Sequence, residues 1–213
     1  MAKVKVGVIG VGALGRHHAR LYNACRGAVL VGVYDQSQER AVEIAEEVGT
    51  KPYATIPDLL ADVDAVSVAV PTDLHHRVVM EILAADRHVL VEKPITATVA
   101  EAEELVATAA KRGLVLGVGH VERYNPVLAC LDETPGEPRF IEAHRLAPYP
   151  PLRPGLPPRG TEVSVVLDLM IHDIDILLDL VKSEVTRVDA VGVPVLSPSE
   201  DIANARIVFA NGC

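Results

Sequence analysis

The chain has 213 residues, 49% hydrophobic and 23% charged, which gives room for one large or two small folded domains and excludes a disordered polymer. Its net charge of -9 and its 3% aromatic content, with no tryptophan, remove the basic surface and the stacking platforms of nucleic-acid binding, so no nucleic-acid partner is expected. The three cysteines, Cys25, Cys130 and Cys213, show no metal-type spacing and suit a reducing compartment. The N-terminus enters a strand directly, without the features of a signal peptide, and the apolar stretch 163–181 is interrupted by Asp168, His172, Asp173, Asp175 and Asp179. A cytoplasmic protein without a membrane segment is the expectation.

In chain order, Val- and Ile-rich runs alternate with helical periodicity. Strand 3–9 precedes helix 13–22, strand 28–34 precedes helix 38–47, and a short strand follows at 51–54. Strand 65–70 then precedes helix 74–84, strand 88–92 precedes helix 99–112, and strand 115–118 closes the series. Strands apolar along nearly their whole length and separated by helices predict an α/β fold, a doubly wound parallel sheet of Rossmann type over residues 1–120.

The composition then changes, with eight of the 15 prolines in 135–158 beside Arg139, Arg145, Arg153 and Arg159. Residues 149–160 read as a long, ordered or semi-ordered loop, because proline fixes φ and removes a backbone donor. Around it are expected a strand at 139–146, a helix at 161–181 and strands at 185–193 and 203–209. They make a second, α+β domain over 121–213 with an open, mainly antiparallel sheet. Asn211-Gly212 is a hairpin signal with nothing after Cys213 to pair, so this domain is expected to be incomplete.

Three groups of residues carry chemistry. Gly10-Val11-Gly12-Ala13-Leu14-Gly15 stands between a strand and a helix, as a dinucleotide-binding turn requires. Gly10 permits the tight turn, Gly12 admits a pyrophosphate to the backbone, and Gly15 lets helix and strand pack closely. Asp35 ends the second strand 20 residues beyond Gly15, placed to accept hydrogen bonds from a ribose 2′-hydroxyl and to repel a 2′-phosphate. NAD is the expected cofactor, with Arg40 the nearby basic residue that would weaken the preference over NADP. His17 and His18, directly after the turn, read as solvated helix residues.

Lys93, within Val91-Glu92-Lys93-Pro94, closes a strand at the ligand edge of the sheet, where an ammonium can polarise a substrate oxygen; a surface lysine before a turn proline is the alternative. Pro94 also permits a cis bond. Asp168 and His172 lie four apart on the later helix. They fit a carboxylate-oriented general base, a surface pair, or a metal site with Asp175; no metal is expected, since no further ligand stands at zinc-type spacing.

Together with Pro71-Thr72-Asp73-Leu74-His75 and Asp168-Leu169-Met170-Ile171-His172-Asp173, these motifs resemble the Gfo/Idh/MocA oxidoreductase family, whose members join an N-terminal Rossmann domain to a C-terminal α/β domain with an open sheet. The resemblance implies a cofactor site of Gly10, Gly12, Ala13, Leu14, Gly15, Asp35, Pro71, Thr72, His75, Glu92 and Lys93. It places Pro71, Thr72 and Glu92 at the nicotinamide half, gives Lys93 the reacting oxygen, and makes Asp168 and His172 the proton-handling pair. Where the family usually has Gly-Lys-His, this chain has Asp86-Arg87-His88, so an aspartate must take the left-handed position that ends a helix. Family members also carry several further strands in the second domain.

A narrower resemblance, to the branch associated with UDP-N-acetylglucosamine 3-dehydrogenase, rests on Gly119-His120-Val121-Glu122-Arg123-Tyr124-Asn125-Pro126, on Arg145-Leu146-Ala147-Pro148 and on the Asp168 helix. It implies a sugar or nucleotide-sugar substrate held by Arg123, Tyr124, Asn125, Arg145, Arg153 and Arg159; the last three are able to clamp a diphosphate, or else serve to keep an irregular loop soluble. The expected reaction is reversible hydride transfer between a secondary sugar hydroxyl and NAD. An inositol-type polyol dehydrogenase, a non-catalytic NAD-responsive regulator and a metal-dependent enzyme are the alternatives. An exposed second-domain sheet suggests a homodimer or homotetramer.

Overall fold

The computed structural model describes residues 2–132, 136–149 and 163–213, in two compact units, Met1–Gly119 and His120–Cys213. In the first unit β1 (Val4–Ile9), β2 (Ala28–Tyr34), β3 (Lys51–Pro52), β4 (Ala65–Val68), β5 (His88–Val91) and β6 (Leu116–Val118) form one sheet, ordered β3-β2-β1-β4-β5-β6. Every neighbouring pair is parallel. The crossovers carry α1 (Gly15–Ala24), α2 (Gln38–Val48), α3 (Ile56–Asp62), α4 (Thr72–Ala84) and α5 (Val99–Arg112). Strand order reverses between β1 and β4, so a ligand crevice is expected beyond their carboxyl ends.

Parallel strands covered on both faces need two cores. Val6 and Val8 of β1 pack with Val11, Ala19, Val33, Ile44 and Val48, whereas Ile9 joins Leu59, Val68, Val79, Ile82, Leu83 and Leu105. Ile9, Leu59, Ile82 and Leu83 are fully enclosed, and truncating any one to alanine costs about 2–5 kcal/mol. Ser67, also fully buried, has its hydroxyl satisfied by Tyr22 Oη at 2.7 Å.

The helix ends follow from local chemistry. Ser37 caps α2, a reciprocal Thr98–Glu101 box caps α5, and Gly49 and Gly113 end these helices in the left-handed region. α4 ends on Asp86, at φ 57°, with the Asp86 N–H donating to Leu83 O at 3.1 Å and the Arg87 N–H to Ile82 O at 3.2 Å. The aspartate thus fills the glycine position, and its carboxylate takes Arg112 Nη1 at 2.6 Å. α3, only seven residues long, is not among the elements expected from the sequence. Its signal was local: Thr55 Oγ1 accepts from Asp58 N at 3.2 Å, Pro57 lies in the first turn, and Leu59 and Leu60 are buried.

The second unit opens with 3-10 turns at Val121–Tyr124 and Pro126–Leu128 and with α6 (Ala129–Asp132). A π-helical turn, Val166–Met170, runs into α7 (Ile171–Val181), and β7 (Val185–Val193) pairs antiparallel with β8 (Ile202–Phe209). The strand expected at 139–146 is not formed: residues 136–149 are irregular, and β7 and β8 pair only with each other among the described residues. A strand needs a neighbouring edge for its N–H and C=O groups. Without one, Phe140 and Leu146 remain 81% and 92% exposed. The helix expected from 161 is seen from Val165 and begins as the π turn; residues 161–162 and the proline-rich 150–160, with Arg153 and Arg159, lie outside the described residues.

Asp201 closes the β7–β8 connection, its Oδ2 accepting from the N–H groups of Val195, Leu196 and Ser197 at 2.7, 2.6 and 2.9 Å. These donors, Leu196 foremost, hold its carboxyl well below the ordinary carboxylate range.

Candidate active site

β1 delivers the glycine turn to the carboxyl edge of the sheet. Gly10 sits at φ 82°, its N–H on Tyr34 O at 2.8 Å, and a Cβ there would lie 2.7 Å from Ala69 O. A Cβ on Gly15 would stand 1.7 Å from Gly10 O, so only glycine lets α1 begin there. A Cβ on Gly12, in contrast, would meet nothing within 4 Å. The first turn of α1 has neither a side-chain cap nor an acidic residue, and Ala13 and Leu14 are exposed. Open space before uncapped helix N–H groups fits a diphosphate.

Asp35, at the end of β2, reaches back to this turn. Its Oδ2 accepts from Val11 N and its Oδ1 from Ser37 N, both at 2.9 Å. The carboxylate therefore shapes the turn as well as standing where a ribose hydroxyl is expected.

The loops after β4 and β5 form the neighbouring part of the edge. α4 starts at Thr72, itself buried, with Pro71 before it. His75 is 1% exposed, with Nδ1 2.8 Å from Pro94 O and Nε2 3.0 Å from Val70 O. The ring that the resemblance places at the cofactor is thus enclosed, with its nitrogens within hydrogen-bond reach of carbonyls in the loops after β4 and β5. Lys93 is half-buried, and the Lys93–Pro94 bond is cis.

Glu92 is 7% exposed, with Oε1 2.8 Å from His18 Nε2 and Oε2 accepting from Lys93 N at 3.2 Å. Burial works to raise its pKa, but the hydrogen bond and electrostatic pull of His18, with the N–H and charge of Lys93, outweigh it and hold the carboxyl below its ordinary value. His18 is thus no solvated helix residue, its side chain being 14% exposed. Its signal was slight, a histidine one helical turn beyond Gly15, made ambiguous by His17 beside it.

In the second unit Asp168 lies in the π turn and His172 at the start of α7, both half-buried. The extra residue of a π turn changes the side-chain register that a four-residue spacing implies in an α-helix, and such turns recur at functional sites. Arg145 grips Asp173 with Nε at 3.0 Å from Oδ2 and Nη2 at 2.9 Å from Oδ1. Arg123 grips the buried Asp175 through Nε, at 3.0 Å from Oδ2, and through Nη2 to Oδ1. These hydrogen bonds, to Asp173 and Asp175 respectively, raise both guanidinium pKa values. α7 carboxylates thus hold Arg123 and Arg145, two of the residues that the resemblance gives to the substrate. The sequence shows the charges but not this pairing, since 52 and 28 residues separate the partners.

Tyr124 is 84% exposed, and Asn125 caps the second 3-10 turn through its Oδ1, 3.1 Å from Val127 N. Among the described residues, no group of three or more His, Cys, Asp or Glu side chains gathers as a metal site, and no helix is long and apolar enough to cross a membrane.

The glycine turn, the Glu92-Lys93-Pro94 corner and the 3-2-1-4-5-6 strand order define a class. The pattern of the Gfo/Idh/MocA oxidoreductase family, NAD-binding Rossmann fold, matches residues 4–120, and that of the Gfo/Idh/MocA C-terminal domain matches residues 131–213. The chain belongs to this family.

UDP-N-acetylglucosamine 3-dehydrogenase from Acidithiobacillus ferrooxidans is 41% identical over 213 residues, 100% of this chain and 65% of that protein. A solved structure of the enzyme of that name and organism aligns with a TM-score of 0.88 at 41% identity, covering 100% of this chain and 67% of the other. Myo-inositol 2-dehydrogenase from Thermotoga maritima is 29% identical over 197 residues, 89% of this chain and 58% of that protein. The chain thus spans 65% and 58% of the lengths of these two curated relatives.

Proposed function

We propose that the protein is an NAD-dependent dehydrogenase that oxidises a secondary hydroxyl of a sugar, with UDP-N-acetylglucosamine, at its 3-position, the first substrate to test. The observation that carries the reading is the adjacency, on one sheet edge, of an uncapped glycine turn with open space at Gly12 and a half-buried lysine held by the Glu92 corner. The 41% identity to the nucleotide-sugar enzyme supports the substrate.

When bound, NAD accepts a hydride at its nicotinamide ring. The chain's residues do the rest. Backbone N–H groups around Gly12 hold the diphosphate, and Asp35 accepts from the adenosine ribose. Pro71, Thr72 and Glu92 border the nicotinamide. Lys93 donates a hydrogen bond to the reacting hydroxyl oxygen and stabilises the charge that develops as the C–H hydride leaves. His172, steadied by Asp168, takes the hydroxyl proton, so that alcohol and oxidised cofactor become ketone, reduced cofactor and one proton. A homo-oligomer is part of the proposal, supported by exposed Val188, Val191 and Ile202 on the β7–β8 pair.

A second substrate, an inositol-type polyol, is supported by the 29% identity to myo-inositol 2-dehydrogenase from Thermotoga maritima. The test uses full-length protein, NAD and a carbonyl trap with UDP-N-acetylglucosamine, inositols and free hexoses, followed by reduced-nicotinamide absorbance. Lys93→Met and His172→Ala are expected to lower turnover by about 10²–10⁴-fold with NAD still bound. Wild-type turnover in both variants would refute the assignment of roles.

A further inference from the structure

We infer that His18 is a positioning residue that sets the Lys93 corner through the Glu92 carboxylate. The inference takes its kinetic meaning from the dehydrogenase reading above.

Glu92 is a nearly enclosed carboxylate with two fixed partners and a glycine packed against it. His18 Nε2 lies 2.8 Å from Oε1, and the Lys93 N–H donates to Oε2 at 3.2 Å. On the third side, a Cβ added to Gly119 would stand 3.0 Å from Oε1 and 3.1 Å from Oε2, so no larger residue fits without displacing the carboxylate. An ionised carboxylate with only 7% exposure needs its hydrogen bonds, because desolvation without them is costly. The same group that His18 holds also receives the peptide N–H of Lys93, so a shift of the Glu92 side chain moves the backbone from which the lysine projects.

His18 is itself well anchored. It belongs to the first turns of α1, a helix pinned at its start by the Gly15–Gly10 approach. One face of α1 buries Ala19 at 0% exposure, and further along Tyr22 Oη bonds Ser67 Oγ at 2.7 Å. The line of support runs from the sheet through α1 and His18 to Glu92, and from Glu92 to Lys93. It joins the element that opens at the diphosphate turn to the corner that carries the candidate catalytic lysine. His18 acts on the reaction only through Glu92.

The experiment compares His18→Leu, His18→Gln and Gly119→Ala with the wild type in full-length protein. Its readouts are amide hydrogen exchange at Lys93, NAD affinity by calorimetry, and kcat and KM on the substrate that gives the highest turnover in the panel above. His18→Leu is expected to speed exchange at Lys93 and to lower kcat about 10- to 100-fold, the scale of a misplaced catalytic group, while NAD affinity, set mainly at the glycine turn and Asp35, falls by less. His18→Gln, whose terminal amide stands near the position of Nε2, restores both readouts. Gly119→Ala crowds the carboxylate from the other side and shifts both in the direction of His18→Leu, so the test survives if the leucine variant does not fold. A wild-type kcat in His18→Leu would overturn the inference, as would equal losses of kcat and NAD affinity that glutamine does not recover. If the wild type turns over no substrate, the dehydrogenase reading fails. Exchange at Lys93 then decides the positioning role alone, unchanged exchange in His18→Leu refuting it.

Discussion

Asp35→Ala separates two duties of one carboxylate. As a ribose acceptor alone, Asp35 would set cofactor choice and leave the free protein unaltered. The structure adds the Val11 N–H, 2.9 Å from Oδ2, in a residue only 1% exposed. Alanine leaves that donor buried and unsatisfied, at a cost of about 1–3 kcal/mol, whereas the exposed Ser37 N–H regains water. At about 2–4 °C per kcal/mol for a chain of this size, Tm falls by about 2–12 °C. Loss of the charged acceptor costs NAD binding about 1.5–3 kcal/mol, or about 10- to 140-fold in Kd. NADP does not gain in compensation, because the turn that holds either diphosphate has loosened. Asp35→Asn, with one amide oxygen for two donors, falls between. Scanning fluorimetry and calorimetric titration with NAD and NADP measure both quantities. An unchanged Tm together with a switch to NADP would refute the bracing role.

Gly15→Ala and Gly12→Ala should both weaken NAD binding but differ in their effect on stability. The first sets a Cβ 1.7 Å from Gly10 O, displacing α1 at about 1–3 kcal/mol or more, and lowers Tm and NAD affinity together. The second meets nothing within 4 Å, so it leaves the Tm of the free protein unchanged and weakens NAD binding; calorimetry showing undiminished affinity would argue against a diphosphate at Gly12. Asp201, whose pKa is depressed by three backbone N–H donors, contributes stability in full at neutral pH. That contribution fades as pH falls below the unfolded value of 3.8 and is gone below the folded one. Asp201→Asn should therefore lower the urea midpoint at pH 7, with the gap to wild type closing under acid; a pH-independent gap would count against the charge.

The sequence by itself determined the first unit to within a residue or two at most strand ends. Long Val-rich runs have one use in a sheet covered on both faces, and glycines at 10, 12 and 15 have few uses after a strand. The left-handed conformation of Asp86 was legible only through the family resemblance, where glycine usually ends that helix. α3 escaped because seven residues carry too little periodicity, although Thr55, Pro57 and two leucines marked it. The second unit was less legible. Its alternating segment 139–146 had the pattern of a strand but no neighbouring edge among the described residues, and pairing is a property of two segments. Only the tertiary structure decided which charges meet: His18 with Glu92 across 74 residues, Arg123 with Asp175, Arg145 with Asp173. Local patterning records where a side chain leaves the backbone; the partner it reaches depends on how distant elements pack, and so the glycine turn was plain from the sequence while the residue that steadies Lys93 was not.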